Sequence, residues 1–392
     1  MTNAGPDVAY VNGAVIEWAR LRSGFTYAQI GNKLRVTEDQ IVAWEKNQAH
    51  PPFDKAQQLA DFLGVPFGYL FLSNSPVEKI PIKDFRLLPD SYRPSANFLN
   101  LINDVLLRRD WYRDFLEDEG EKPLGFVGAF TARDDPKVVA ADIRSKLHIS
   151  PSLRMSSYSW SDYMTSLARH ADEARILVMR SSLVGHDTSR RLSRQEFQGF
   201  AISDKFAPVV FVNTADFIAA QTFTLIHELV HIWIGQSAVS NPNPASLDAV
   251  HGTALSVARI EQFCNQVAVE VLVPRLEFTD EWEPLTDREV MIERLSSHFW
   301  VSNTVIIRRA YELNKIKREE FFTLLDQFKK KLRPRQKKGQ FSYFRNIAPR
   351  VSRRVTRAVL SDLKNGRMLY RDAASIMGLS VPLVAKFSQV YR

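Results

Sequence analysis

His227, Glu228 and His231 are the residues whose types and spacing most directly suggest chemistry. The two histidines lie four apart in an apolar run that includes Phe223, Leu225, Ile226, Leu229, Val230, Ile232 and Trp233. At 3.6 residues per helical turn they share one face, so two imidazoles can converge on one metal ion. Glu228 is placed to polarise a metal-bound water rather than to bind the metal. A buried helix carrying these three groups is costly unless they are paired or ligated. The five-residue pattern alone also describes two hydrogen-bonded core histidines beside an exposed glutamate.

A catalytic zinc site needs three protein ligands and an open position. Two residues compete for the third place. Glu261 lies on a predicted helix over Leu255–Leu272, where a carboxylate is awkward among Val257, Ile260, Phe263 and Val267. His251 falls in a loop or at a helix start. Asn265, four residues beyond Glu261 on the same face, is placed to hydrogen-bond a ligating histidine. Cys264, one turn from Glu261, reads as core packing, with a thiol near the metal as the alternative. It is the only cysteine, which excludes a disulfide framework and fits a reducing cytoplasm.

The elements that must position these groups read as follows. Strands are predicted at 175–179, Gly199–Ile202 and Val209–Asn213. A helix over 216–234 ends at Gly235, and the next stops before Pro274. Upstream, 96–117, 134–149 and 156–174 are helical by apolar spacing. Downstream the chain is mostly helical to its end, with a break at 333–341. The edge of the Val209–Asn213 strand is a candidate place for an extended substrate backbone, which would put Asn213 near the site. His251, His298 and Tyr311 are candidate oxyanion donors that sequence does not separate.

Before residue 75 the chain reads as short helices. Residues 26–34 form one, Arg35-Val36 a turn, and Thr37 caps the next, with Gln40 completing a capping box. Ile30, Leu34, Val36, Ile41 and Trp44 supply the core, and Ala28 reads as the small residue where two helices approach. Ala56, Leu59, Ala60, Leu63 and Val65 continue the pattern. This stretch resembles an Xre-type, lambda-repressor-like helix-turn-helix. In that fold the second helix enters the major groove, which nominates Gln29, Thr37, Gln40 and Lys46 for contact with double-stranded DNA. Glu38 and Asp39 oppose phosphate contact there, and such modules also serve as protein-binding units.

The run over about 175–275 resembles the ImmA/IrrE metallopeptidases. The resemblance rests on Phe200-Ala201-Ile202, Pro208 to Asn213, Phe223 to His231, and Glu261-x-x-Cys264-Asn265 through Leu272-Val273-Pro274. It implies a small gluzincin-like zincin core binding one Zn2+ through His227, His231 and Glu261, with Glu228 as general base. The expected fold class is α+β, predominantly helical. It comprises a helix-turn-helix domain (1–75), a helical linker (76–124), a peptidase core with a short mixed sheet (125–275) and a helical C-terminal region (276–392). Within the last, 301–310 reads as a second helix-turn-helix-like unit or a partner platform.

The formal charge of +8 tilts the chain toward an anionic partner. No signal peptide and no membrane span are expected, and the location implied is cytoplasmic. The resemblance implies a DNA-binding regulator, possible as a homodimer on an operator, whose endopeptidase domain cleaves or controls a repressor-type protein. The alternative is a repressor or antitoxin beside a toxin, with the zincin core as sensor or scaffold.

Overall fold

The computed structural model describes residues 7–76, 81–84, 94–242, 244, 255–284, 286–331 and 344–391. Contacts divide the chain into two units, 1–81 with 90–103, and 82–89 with 104–392.

The first unit is helical: α1 (Gly13–Ser23), α2 (Tyr27–Leu34), α3 (Glu38–Glu45), α4 (Phe53–Leu63) and a 3-10 turn at Phe67–Phe71. Ile16, Ile30, Leu34, Ile41, Trp44 and Leu59 form its core. Capping boxes start both helices of the motif, Thr26 with Gln29 and Thr37 with Gln40. Ala28 is exposed, contrary to the expectation that it marks a close approach. It points away from the Ile30–Leu34 face. The approach is made at Gly31, where an added Cβ would lie 2.8 Å from the Val36 carbonyl oxygen, and at Gly13, against the carbonyls of Trp44 and Glu45. Glu45 is buried and ties three helices together. It accepts from Arg20 Nε (2.6 Å) and from the Tyr27 hydroxyl (2.8 Å), and the guanidinium lies over the Tyr27 ring.

The boundary between the units falls within α5 (Ala96–Asp118). The second unit is built on a five-stranded mixed sheet of β1 (Lys83–Asp84), β2 (Leu177–Ser181), β3 (Gly199–Ile202), β4 (Val209–Asn213) and β5 (Ala238–Ser240). The order is β1-β5-β3-β4-β2. β2 begins later than predicted because Arg175 adopts a left-handed turn after the preceding helix. The predicted 156–174 helix is α8 (Trp160–Glu173), which starts later because Ser159 caps it, and a short unpredicted helix, α7 (Pro151–Met155), precedes it. Ahead of them lies α6 (Pro136–Lys146).

β4 has no free edge, which corrects the substrate-edge expectation: it pairs with β2 on one side and β3 on the other. Its residues are all buried because both faces and both edges are covered. The outer edge of β5 is taken by β1, with Lys83 opposite Ala238 and Asp84 opposite Val239.

α9 (Ile218–Trp233) packs on β3 and β4, and α10 (Leu255–Leu272) crosses α9. Gln221 to Trp233 are buried without interruption, so α9 is a central helix rather than an amphipathic one. Trp233 Nε1 donates to Asp142 of α6 at 2.7 Å and fixes its end. Then follow α11 (Arg275–Glu281), α12 (Arg288–Phe299), α13 (Asn303–Glu312), α14 (Arg318–Lys331), α15 (Ile347–Val351), α16 (Arg353–Lys364), α17 (Tyr370–Met377) and α18 (Val381–Val390). The predicted break at 333–341 lies outside the described residues. α13 is buried from Val305 to Ala310, with Arg308 and Arg309 paired to Glu312 and Glu270. It therefore offers no groove-reading face. Among the described residues no single helix is long and apolar enough to cross a membrane.

Candidate metal centre and DNA-contact residues

The α9 spacing stacks His227 and His231 on the side facing α10 and β5. Their Nε2 atoms are 3.3 Å apart. Glu261, from α10, reaches both: Oε2 lies 3.2 Å from His227 Nε2, and Oε1 3.2 Å from His231 Nε2. Three ligand side chains from two helices thus face one small volume. The histidines are fully buried, whereas the Glu261 side chain keeps 18% exposure.

The other ring nitrogens are also engaged. His227 Nδ1 lies 3.1 Å from Asn265 Oδ1, an acceptor, so the proton belongs on Nδ1 and the Nε2 lone pair points at the site. His231 Nδ1 faces Cys264 Sγ at 3.9 Å. His227, His231 and Cys264 also lie close enough together to be considered a ligand set. The thiol, however, meets the His231 nitrogen turned away from Glu261. Burial, with the charges of Glu261 and Glu228, also pushes that thiol well above its ordinary value. Glu261 is the better third donor. Burial alone would raise its carboxyl, but the facing imidazoles hold it down at about 2. Burial lowers His231, keeping the ring neutral and its lone pair available.

Glu228 is fully buried, and neither carboxylate oxygen has a hydrogen-bond partner among the described residues. Burial and the Glu261 charge push its carboxyl well up, opposed only by the nearby Ser240 hydroxyl. A buried carboxylate without a partner costs several kcal/mol unless a cation or water meets it, on the order of 1–3 kcal/mol even for a neutral group. Gly199 on β3 makes room for it. A Cβ there would lie 2.9 Å from Glu228 Oε1 and 2.6 Å from Thr224 Cγ2. Two imidazoles, one ionised carboxylate and a second buried carboxylate beside them fit a tetrahedral zinc ion with its fourth position left to water.

Sequence reasoning missed two participants. Ser240, at the end of β5, places its hydroxyl 3.2 Å from His231 Nε2 and 3.4 Å from Glu261 Oε1. Nothing local marks it. Gly199 carried a legible signal, a glycine in a strand, which often marks close approach by another group. Other expectations fall away from the site. Asn213 staples a loop, donating to the Phe197 carbonyl at 3.0 Å and accepting from Ala215 N–H. His298 contacts Arg154, and Tyr311 packs on Phe321. His251 lies outside the described residues.

In the first unit Gln29, Thr37, Gln40 and Lys46 are all exposed. Gln29 and Gln40 each commit Oε1 to a cap, accepting from Thr26 N–H and Thr37 N–H at 2.9 Å. Bidentate reading of adenine needs both amide atoms, so either glutamine must release its cap or offer Nε2 alone.

Residues 16–70 match the family model described as helix-turn-helix, and residues 171–311 the one described as IrrE N-terminal-like domain. Residues 351–382 match a domain of unknown function. The first match supports DNA binding, and the second marks a metallopeptidase-like domain that contains His227, Glu228, His231 and Glu261. No curated protein and no solved structure matches the chain.

Proposed function

We propose that the chain is a DNA-binding regulator whose second unit is a zinc-dependent endopeptidase acting on a repressor-type protein. The observation that carries this reading is Glu228. It is a fully buried carboxylate with the Ser240 hydroxyl as its polar neighbour among the described residues, beside two histidines that converge with Glu261.

His227, His231 and Glu261 would hold the zinc, and Asn265 orients the first imidazole. Bound zinc would supply Lewis acidity toward a peptide carbonyl and lower the pKa of its water toward neutrality. Glu228, aimed from the same helix turn, takes the proton as attack begins and returns it to the leaving amine. Its high proton affinity suits the second half of that cycle. A peptide adding as a strand would need the outer edge of β5, next to Ser240, and Lys83–Asp84 occupy that edge. The substrate must displace β1.

The test is Glu228→Gln in cells that also produce a candidate repressor. The substitution should abolish cleavage while leaving zinc near one per chain. A Glu228→Gln chain that retains its full biological effect would leave the core as a sensor or scaffold.

A further inference from the structure

The turn between α2 and α3 recurs before α7, α13 and α18, and the last two of these lead into ten-residue helices. Between α2 and α3, Arg35 is left-handed (φ 58°), Val36 N–H returns to the Gly31 carbonyl, and Thr37 is an extended N-cap (φ −77°, ψ 157°). Between α17 and α18, Gly378 is left-handed (φ 67°), Leu379 N–H returns to the Ala374 carbonyl, and Ser380 is an extended N-cap (φ −73°, ψ 151°). Between α12 and α13 the same roles fall to Trp300, Val301 with Ser296, and Ser302.

Burial follows the same register. Ile30, Leu34, Ile41 and Trp44 of the first motif correspond to Ala373, Met377, Val384 and Phe387 of the last, and all eight are buried. α17 and α18 meet at 88°, close to the range of a helix-turn-helix. The copies leading into α3, α13 and α18 differ in what their second helix leaves outside. α13 is enclosed. α18 exposes Val381, Pro382, Lys386 and Gln389 along one side.

Charge separates the copies further. Residues 7–76 carry six basic and seven acidic side chains, whereas residues 350–391 carry eight basic and two acidic. Phosphate neutralisation supplies most of the sequence-independent affinity for DNA. The motif found first is therefore the electrostatically weaker one. Lys364, Arg371 and Lys386 are exposed around α17 and α18.

We propose that α17 and α18 form a second double-stranded-DNA-binding unit. α18 enters the major groove, and Lys364, Arg371 and Lys386 lie on phosphates. Gln389 can hydrogen-bond base edges, and Val381 and Pro382 can meet a thymine methyl. This inference is independent of the peptidase reading.

The experiment uses the full chain and a random-sequence double-stranded oligonucleotide, with affinity measured by fluorescence anisotropy over a salt series. Lys364→Ala, Arg371→Ala and Lys386→Ala together should weaken binding by about tenfold or more. They should reduce the slope of log K against log salt by about 2 to 3. An unchanged melting temperature shows that the fold survives. A second chain, Gln40→Ala with Lys46→Glu, disables the first motif and should keep most of the salt-dependent binding. If the triple variant binds as the unaltered chain does while the second loses binding, DNA is read by the first unit alone and the proposal is overturned. Binding of the unaltered chain to phosphatidylglycerol vesicles but not to the oligonucleotide also overturns it, assigning α17 and α18 to a lipid surface.

Discussion

His227 Nδ1 lies 3.1 Å from Asn265 Oδ1, one helical turn beyond Glu261 on α10. One helix therefore supplies both a candidate ligand and the group that turns another ligand toward it. Asn265→Leu should weaken zinc binding by about 10- to 100-fold with little loss of fold, since partners of metal-bound histidines typically contribute that much. Competition with a chromogenic chelator measures it. Unchanged affinity would mean that Asn265 serves packing alone.

β1 covers the outer edge of β5 through only two residues, Lys83 and Asp84. Asp84→Pro should weaken that two-residue pairing, since proline is poorly tolerated within a strand ladder. Hydrolysis of a quenched-fluorescent peptide library should rise several-fold, with zinc content unchanged. A rate equal to that of the unaltered chain would show that β1 does not compete with substrate.

How legible was this arrangement? β3, β4 and α10 were readable to the residue because apolar runs bounded by Gly, Pro or polar residues define them locally. The first turn was readable from the Thr37-x-x-Gln40 cap, whereas the matching Thr26–Gln29 box was not read. The histidine pair was readable because helical spacing alone puts both on one face. The pairing of β4 on both edges, the enclosure of α13 and the outward direction of Ala28 were not. Each depends on which distant element arrives alongside, and Arg308 and Arg309 look like surface residues until Glu270 and Glu312 meet them. β1 and β5, at two and three residues, are too short to show any periodicity.

The first unit depends on a buried ion pair. Hydrogen bonding to Glu45 raises the Arg20 guanidinium further above its ordinary value. Glu45→Ala leaves Arg20 mostly buried and unpaired, and should destabilise that unit by about 3 kcal/mol. Urea unfolding followed by tryptophan fluorescence reads it. DNA binding through α3 should fall with it.

Asp172, at the end of α8, has its carboxyl pushed up to about 7 by burial, despite Val178 N–H and the nearby arginines of α16. In the unfolded chain it ionises near 3.8. Between those values the folded protein holds a proton that the unfolded one has released, so stability falls as pH rises from about 4 to 7. Asp172→Asn removes this cost. The melting temperature of the variant should pull ahead of the unaltered chain across that window and stay level above it. A difference independent of pH would contradict the assignment.

The most direct test of the metal centre is zinc-edge X-ray absorption on chelator-free protein. The account predicts one zinc per chain, surrounded only by nitrogen and oxygen at about 2.0–2.2 Å. A sulfur neighbour at about 2.3 Å would replace Glu261 by Cys264, and a chain without zinc would remove the centre altogether.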